Sequence, residues 1–344
     1  MKNLKRIKAL QNEISWKFLE GSDLGQREQE VLRDVSQRTG FIPTKLIDRS
    51  SWWGSTEIGA FHYEGEFDGR RATLKVQGVK PRTSEIYMIE SFARTNKSRI
   101  LRPPHLYATL PWDDKRRYEA LIMEYIGTKK IMKVPTNKDE VKRYYELFAD
   151  YRKNCRESPW LEKPALILPE KMRENFKKWR EASLKIYPVH PLREDSDLEL
   201  IDRAVNLLVE GYRGVGPEFQ HGHLADSDFY QVGKDIVVLS NLYWGWRAPF
   251  YDAIFCFHWF IYHLNKVDRI APYDVEEQRR LWMEEIESLP SSDKERRLLK
   301  LALLERAAAG LNLDALSYEK VKPVTSYLVE TTRKQVITLI NELS

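Results

Sequence analysis

The chain's strongest constraint is a change of texture at Gly127. From about residue 46 to that point, β-branched and aromatic runs are punctuated by glycine; beyond it, apolar residues recur mostly at helical spacing. The first stretch predicts a small antiparallel sheet, with Phe67-Asp68-Gly69-Arg70 as a hairpin turn ahead of the strand RATLKVQ. A helix over about 83–97 (TSEIYMIESFARTNK) follows, then Pro103-Pro104, then two strand-like pieces, HLYATL and YEALIMEYI. Helices are expected over 138–156, 169–185 and 195–212 and from 252 onward, with short strands only around Phe229–Val232 and Ile236–Leu239. Ahead of the sheet, Leu4, Ile7, Leu10, Ile14 and Phe18 are helically spaced. A break at Gly21-Ser22-Asp23 caps a second helix through Arg38.

At 344 residues and 42% hydrophobic, the chain can bury a sizeable core as one large domain or two lobes. Its 56 basic and 51 acidic residues leave a dispersed net charge of +5, too mixed to indicate nucleic-acid binding. Two cysteines, Cys155 and Cys256, fall in helical patterns and give no disulfide framework, which fits a reducing cytoplasm. The longest apolar run, AIFCFHWFIYHL at 253–264, is shorter than the ~20 residues that span a bilayer and carries His258 and His263, so it reads as a core helix. The basic start MKNLKRIKALQNEI lacks an apolar signal core, and neither secretion nor membrane attachment is expected.

Chemistry first gathers in the sheet region. Gly54-Ser-Thr-Glu-Ile-Gly59 leads into a strand, the tight turn, and a strand carrying Lys75. Glycines between strands let backbone amides approach phosphates, and a lysine on the next strand can neutralise them. A buried lysine needs a carboxylate, which the following helix offers as Glu85, with Glu90 as the other candidate. The strand ALIMEYIG would set Met123, Glu124 and Ile126 beside an adenine ring.

In this order of parts the chain resembles the protein-kinase-like fold, in its aminoglycoside and choline phosphotransferase branch. ATLK stands where that family has its phosphate-binding lysine, and IMEYIG stands at its hinge. The resemblance runs over about 46–265. It implies a two-lobed α+β fold: a helical extension at 1–45, a sheet-based lobe at 46–126 and a mainly helical lobe at 127–344. The implied ligand, ATP or another small molecule, sits in the interlobe cleft, and magnesium is the implied metal.

The segment 220–252 is similar to the family's catalytic loop, which reads His-Gly-Asp-Leu-x-x-x-Asn, then two short strands, a metal-binding Asp, and Pro-x-Tyr-Asp. Here it reads His221-Gly222-His223-Leu224-Ala225-Asp226-Ser227-Asp228, then VVLSN, then Pro249-Phe250-Tyr251-Asp252. His221 and Asp252 keep the positions that support the loop. By the resemblance, His223 replaces the catalytic aspartate, Asp228 the metal-binding asparagine, and Ser240 the principal magnesium aspartate. An imidazole of pKa ~6.5 can still accept a proton, and a positioned base is worth about 10²–10⁴ in rate. Asp228, helped by Asp226, would then be the metal ligand, since magnesium prefers carboxylate oxygens.

A zinc reading of His221, His223 and Asp226 fails because the hydrolase pattern HxHxDH is not completed. Tyr243, Trp244 and Trp246 are expected to wedge the loop against the helices rather than to cage a ligand, and Arg247 to make an ordinary salt bridge. Two classes of function stay open. One is a pseudokinase-like protein, nucleotide-binding through Lys75 and Glu85, that acts by binding or regulation, with a protein partner. The other is an active, divergent ATP-dependent small-molecule phosphotransferase or nucleotidyl-transfer enzyme using His223 and Asp228.

Overall fold

The computed structural model describes residues 22–50, 59–165, 167–186, 188–267, 269–314 and 321–344. The first helical pattern, at residues 4–18, and Gly54 lie outside them. The chain divides into two compact units: the described residues through Lys129 together with Tyr230–Leu242, and Lys130–Phe229 with Tyr243–Ser344.

The first unit is built on a five-stranded sheet in the order β1-β2-β3-β6-β5, from β1 (Ile42–Ser50), β2 (Ala60–Phe67), β3 (Arg70–Gln77), β5 (Leu106–Asp113) and β6 (Tyr118–Glu124). All of its pairings are antiparallel. The hairpin forms where the sequence places it: Asp68 and Gly69 both take positive φ, 49° and 70°, as a two-residue turn between right-twisted strands requires. β1 opens at Ile42, inside the stretch read as helical extension. Pro43 masks the strand signal there, and it is tolerated because β1 is an edge strand.

Alternation along the strands sorts the two faces. Leu74, Val76, Ala120 and Ile122 turn to one side, where α1 (Ser22–Thr39) contributes Val31, Leu32 and Val35 to a common core. Leu121 turns to the other, against Ile86 and Ile89 of α2 (Glu85–Thr95). Lys75 pairs with Leu121 in register and so lies on the α2 face. A second sheet of three strands has the order β4-β9-β8: β4 (Leu101–Arg102) runs parallel to β9 (Asp235–Val238), which neighbours β8 (Phe229–Val232).

The second unit is helical: α3 (Lys138–Asn154), α4 (Leu168–Ile186), α5 (Asp197–Gly211), α6 (Tyr251–His263), α7 (Pro272–Ile286), α8 (Asp293–Asn312) and α9 (Pro323–Leu343). Its core is aromatic, with Trp282 fully buried against Tyr144, Tyr145, Phe257 and Phe260. The expectation of only two short strands in this half needs correction, because β7 (Glu218–Gln220) pairs antiparallel with β10 (Gly245–Arg247). Three-residue strands are too short for periodicity to reveal. Cys155 and Cys256 are buried free thiols. Among the described residues no helix is long and apolar enough to cross a membrane.

Gly65, in β2, permits the tight approach of the chain at Phe41 and Ile42. A Cβ there would lie 2.3 Å from the Ile42 carbonyl oxygen and 2.4 Å from Phe41 Cζ. Gly65→Ala is therefore expected to cost about 1–3 kcal/mol, read as a fall of several degrees in Tm, while Glu66→Ala, exposed next to it, changes little.

Candidate functional site

In the first unit, Lys75 Nζ lies 2.5 Å from Glu85 Oε2, and the two side chains are 14% and 4% exposed. The pair forms because strand alternation turns Lys75 toward α2 and Glu85 occupies that helix's first turn. The helix start is fixed from outside: Glu119 of β6, fully buried, accepts from Ser84 Oγ at 2.5 Å and from Glu85 N at 3.0 Å. Burial raises the Glu119 pKa, and these hydrogen bonds act against that rise. His62 stands opposite Lys75 in register; burial first, and the Lys75 charge second, lower its pKa to about 3, so the imidazole stays neutral.

The remaining residues proposed for nucleotide contact divide. Gly59 is buried, and its carbonyl accepts from Gly78 N at 2.7 Å. Ile126 joins an apolar cluster with Met123 and Val237, flanked by Leu106 and Tyr230. Glu124 does something the sequence reading missed: its carboxylate is committed to Arg102, with Oε2 3.0 Å from Nη2, and also accepts from His105 N at 2.8 Å. Arg102 in turn reaches Asp235 Oδ2 at 2.9 Å. The Glu124 side chain is thus a brace between strands.

In the second unit, the segment at 220–228 hangs on Asp252. This buried carboxylate accepts from Gly222 N through Oδ1 at 2.8 Å and from Tyr151 Oη through Oδ2 at 2.7 Å. Tyr151 Oη itself accepts from His221 N at 2.7 Å, and His221 Nδ1 accepts from His223 N at 3.3 Å. Burial raises the Asp252 pKa against the pull of these donors. Trp244, 4% exposed, packs on Trp160, Phe219 and His221 with ring centroids 4.6, 5.5 and 5.1 Å away, as expected of a wedge.

His223 and Asp228 face each other. His223 Nδ1 is 3.0 Å from Asp228 Oδ2, which also accepts from Ala225 N at 2.8 Å. Tyr243 stacks on the imidazole at 4.6 Å and Phe255 tilts against it at 4.9 Å. Burial opposes a charge on this ring, but the Asp228 carboxylate outweighs it and the His223 pKa is raised. Asp226, offered as an assisting metal ligand, instead holds His263 Nδ1 at 2.8 Å. Arg247 does not make the ordinary salt bridge expected of it. Among the described residues it has no carboxylate partner, and it donates to the Tyr243 carbonyl at 3.0 Å while lying against Gly222, where a Cβ would meet it at 2.7 Å.

The two carboxylates offered for magnesium already have partners: Asp228 Oδ2 serves two donors and Asp226 Oδ1 serves a histidine, so each would have to give up a bond to take a metal there. Among the described residues no three His, Cys, Asp or Glu side chains gather into a metal site.

Sheet order, the Lys75–Glu85 pair and the loop braced by Asp252 define a protein-kinase-like fold of the phosphotransferase type. Solved structures bear this out. The chain is similar to the aminoglycoside phosphotransferase APH(4)-Ia (TM-score 0.57, 12% identity, 91% of this chain and 98% of that one covered). It is also similar to choline kinase from Cryptosporidium parvum Iowa II (0.55, 14%, 92% and 96%). A third is spectinomycin phosphotransferase APH(9)-Ia, solved with ADP and spectinomycin (0.51, 10%, 92% and 98%). No family model and no curated protein matches the sequence.

The His223–Asp228 pair makes a directional prediction. A raised imidazole pKa means that the pair's stabilisation is complete below the unfolded value of ~6.5 and is lost as pH rises through the folded value. In Asp228→Asn burial, the largest cause, is opposed only by a backbone hydrogen bond and the more distant Asp252, so the His223 pKa should fall below ~6.5, read by NMR titration of its ring resonances. The stability difference between wild type and variant should shrink as pH rises above neutrality.

Proposed function

We infer that this is a pseudokinase-like protein that binds a nucleotide through its sheet unit and acts by binding or regulation rather than by metal-assisted phosphoryl transfer. One observation carries the reading: Asp228, which by the resemblance stands where that family holds its metal, has its Oδ2 engaged by the Ala225 amide and the His223 imidazole. Nucleotide binding is supported by the intact Lys75–Glu85 pair and by the apolar cluster at Met123 and Ile126, which would take the adenine ring. Similar structures were solved with ADP or with AMP-PNP.

The second reading, an active ATP-dependent small-molecule phosphotransferase or nucleotidyl-transfer enzyme, is favoured by the same pair seen from its other side. A carboxylate on Nδ1 orients an imidazole and raises its basicity, and among the described residues Nε2 of His223 makes no hydrogen bond. In that reading Asp228 is the partner of the base, not a metal ligand.

Calorimetric titration with ATP, in magnesium and in EDTA, separates the readings when paired with an assay for phosphate release. The pseudokinase reading expects equal affinity in both buffers and no turnover. Magnesium-dependent binding with turnover that His223→Ala abolishes would establish the enzyme instead. Absence of binding in both buffers would remove the nucleotide from either reading. Lys75→Ala leaves Glu85 buried and unpaired, at a cost of about 3–5 kcal/mol, so the matched variant Lys75→Met with Glu85→Gln is the better control. It should keep the fold by circular dichroism and lose ATP.

A further inference from the structure

Within the helical unit, α7, α8 and α9 enclose a trough of about 580 Å³, on helices that carry none of the residues assigned above to nucleotide or loop chemistry. That volume is within the roughly 300–1,000 Å³ usual for small-molecule sites. Its apolar lining comes from Met283 of α7, Leu299 and Leu303 of α8 and Leu339 of α9. Leu299, Leu303 and Leu339 are buried by their own neighbours, while Met283 is half-buried.

Arg279 of α7 also lines the trough. It donates to Gln335 Oε1 at 3.0 Å and lies 5.7 Å from the centre of the Phe257 ring, yet among the described residues no carboxylate comes within ion-pair distance of it. Burial lowers its pKa, and the charge of Glu276, which lies beyond ion-pair distance, offsets this only in part. The cations nearer the rim are different. Lys300 is paired with Glu342 at 3.0 Å, Lys334 with Glu330 at 2.7 Å and Arg296 with Asp293 at 3.0 Å. Of the acids, Glu276 accepts from Tyr327 Oη at 2.7 Å and Glu287 is exposed.

We propose that this trough is a second ligand site, which takes a small amphiphile with an apolar body on Met283, Leu299, Leu303 and Leu339 and a single carboxylate on Arg279. The distribution of charge selects this occupant. A polyanion or an acidic protein face would need several open cations, whereas here the rim cations are already neutralised by their own neighbours. A neutral apolar ligand would leave Arg279 with only the distant Glu276 to offset its burial, and covering it with hydrocarbon would deepen that cost. A planar guanidinium matches a carboxylate with two parallel hydrogen bonds.

The probe is dodecanoate, with dodecanol as its uncharged match, titrated calorimetrically into the full-length protein. Dodecanoate should bind saturably and at least tenfold more tightly than dodecanol, and Arg279→Gln should erase that preference. Thr338→Trp, at an exposed position lining the trough, should fill it and abolish binding of both probes while leaving the circular dichroism spectrum unchanged. That variant keeps the test decisive if Arg279→Gln fails to fold. No saturable binding, equal affinity for the two probes, or unchanged affinity in Thr338→Trp would each overturn the proposal. None of these readouts involves ATP, so the outcome is independent of the nucleotide reading.

Discussion

Everything in the 220–228 segment is referred to one carboxylate. Asp252 is fully buried and its two oxygens take separate donors, the Gly222 amide and the Tyr151 hydroxyl. Through Tyr151 the second bond continues to the His221 amide, so α3, α6 and the loop meet at one group. A buried carboxylate left with one donor too few carries a large desolvation penalty, which makes the arrangement nearly all-or-none. Further along the loop, Asp228 adds a brace of its own, accepting from the Ala225 amide at 2.8 Å.

His223 and Asp228 are best understood together. Their imidazole and carboxylate satisfy each other at 3.0 Å. The attraction between them is directed inward, and a raised imidazole pKa is its visible trace. Tyr243 and Phe255 close over the ring and strengthen the effect by keeping water from part of it.

Much of the fold was legible because it is written in local rules. Asp68-Gly69 announces a two-residue turn, and alternation in RATLKVQ and YEALIME sets Lys75 and Leu121 on one face. Lys75 and Glu85 could be paired on chemical grounds, since a buried lysine demands an acid. What stayed hidden depends on contacts far apart in the chain. β7 and β10 are three residues each and carry no period of their own. Glu124 looked like a ligand contact because nothing in its neighbourhood reveals Arg102 or Asp235. Asp228 and Asp226 read as metal ligands by position, while their actual partners, His223 and His263, are set by side-chain direction and by a helix that begins over twenty residues later.

Glu119 has a consequence for how α2 can behave. The helix is held at its first turn by three bonds to two neighbouring strands: Ser84 and the Glu85 amide to Glu119 of β6, and the Glu85 carboxylate to Lys75 of β3. Swinging α2 away from the sheet would strand two buried acids and a lysine at once. Any displacement of α2 from the sheet would therefore have to break all three bonds together rather than one at a time.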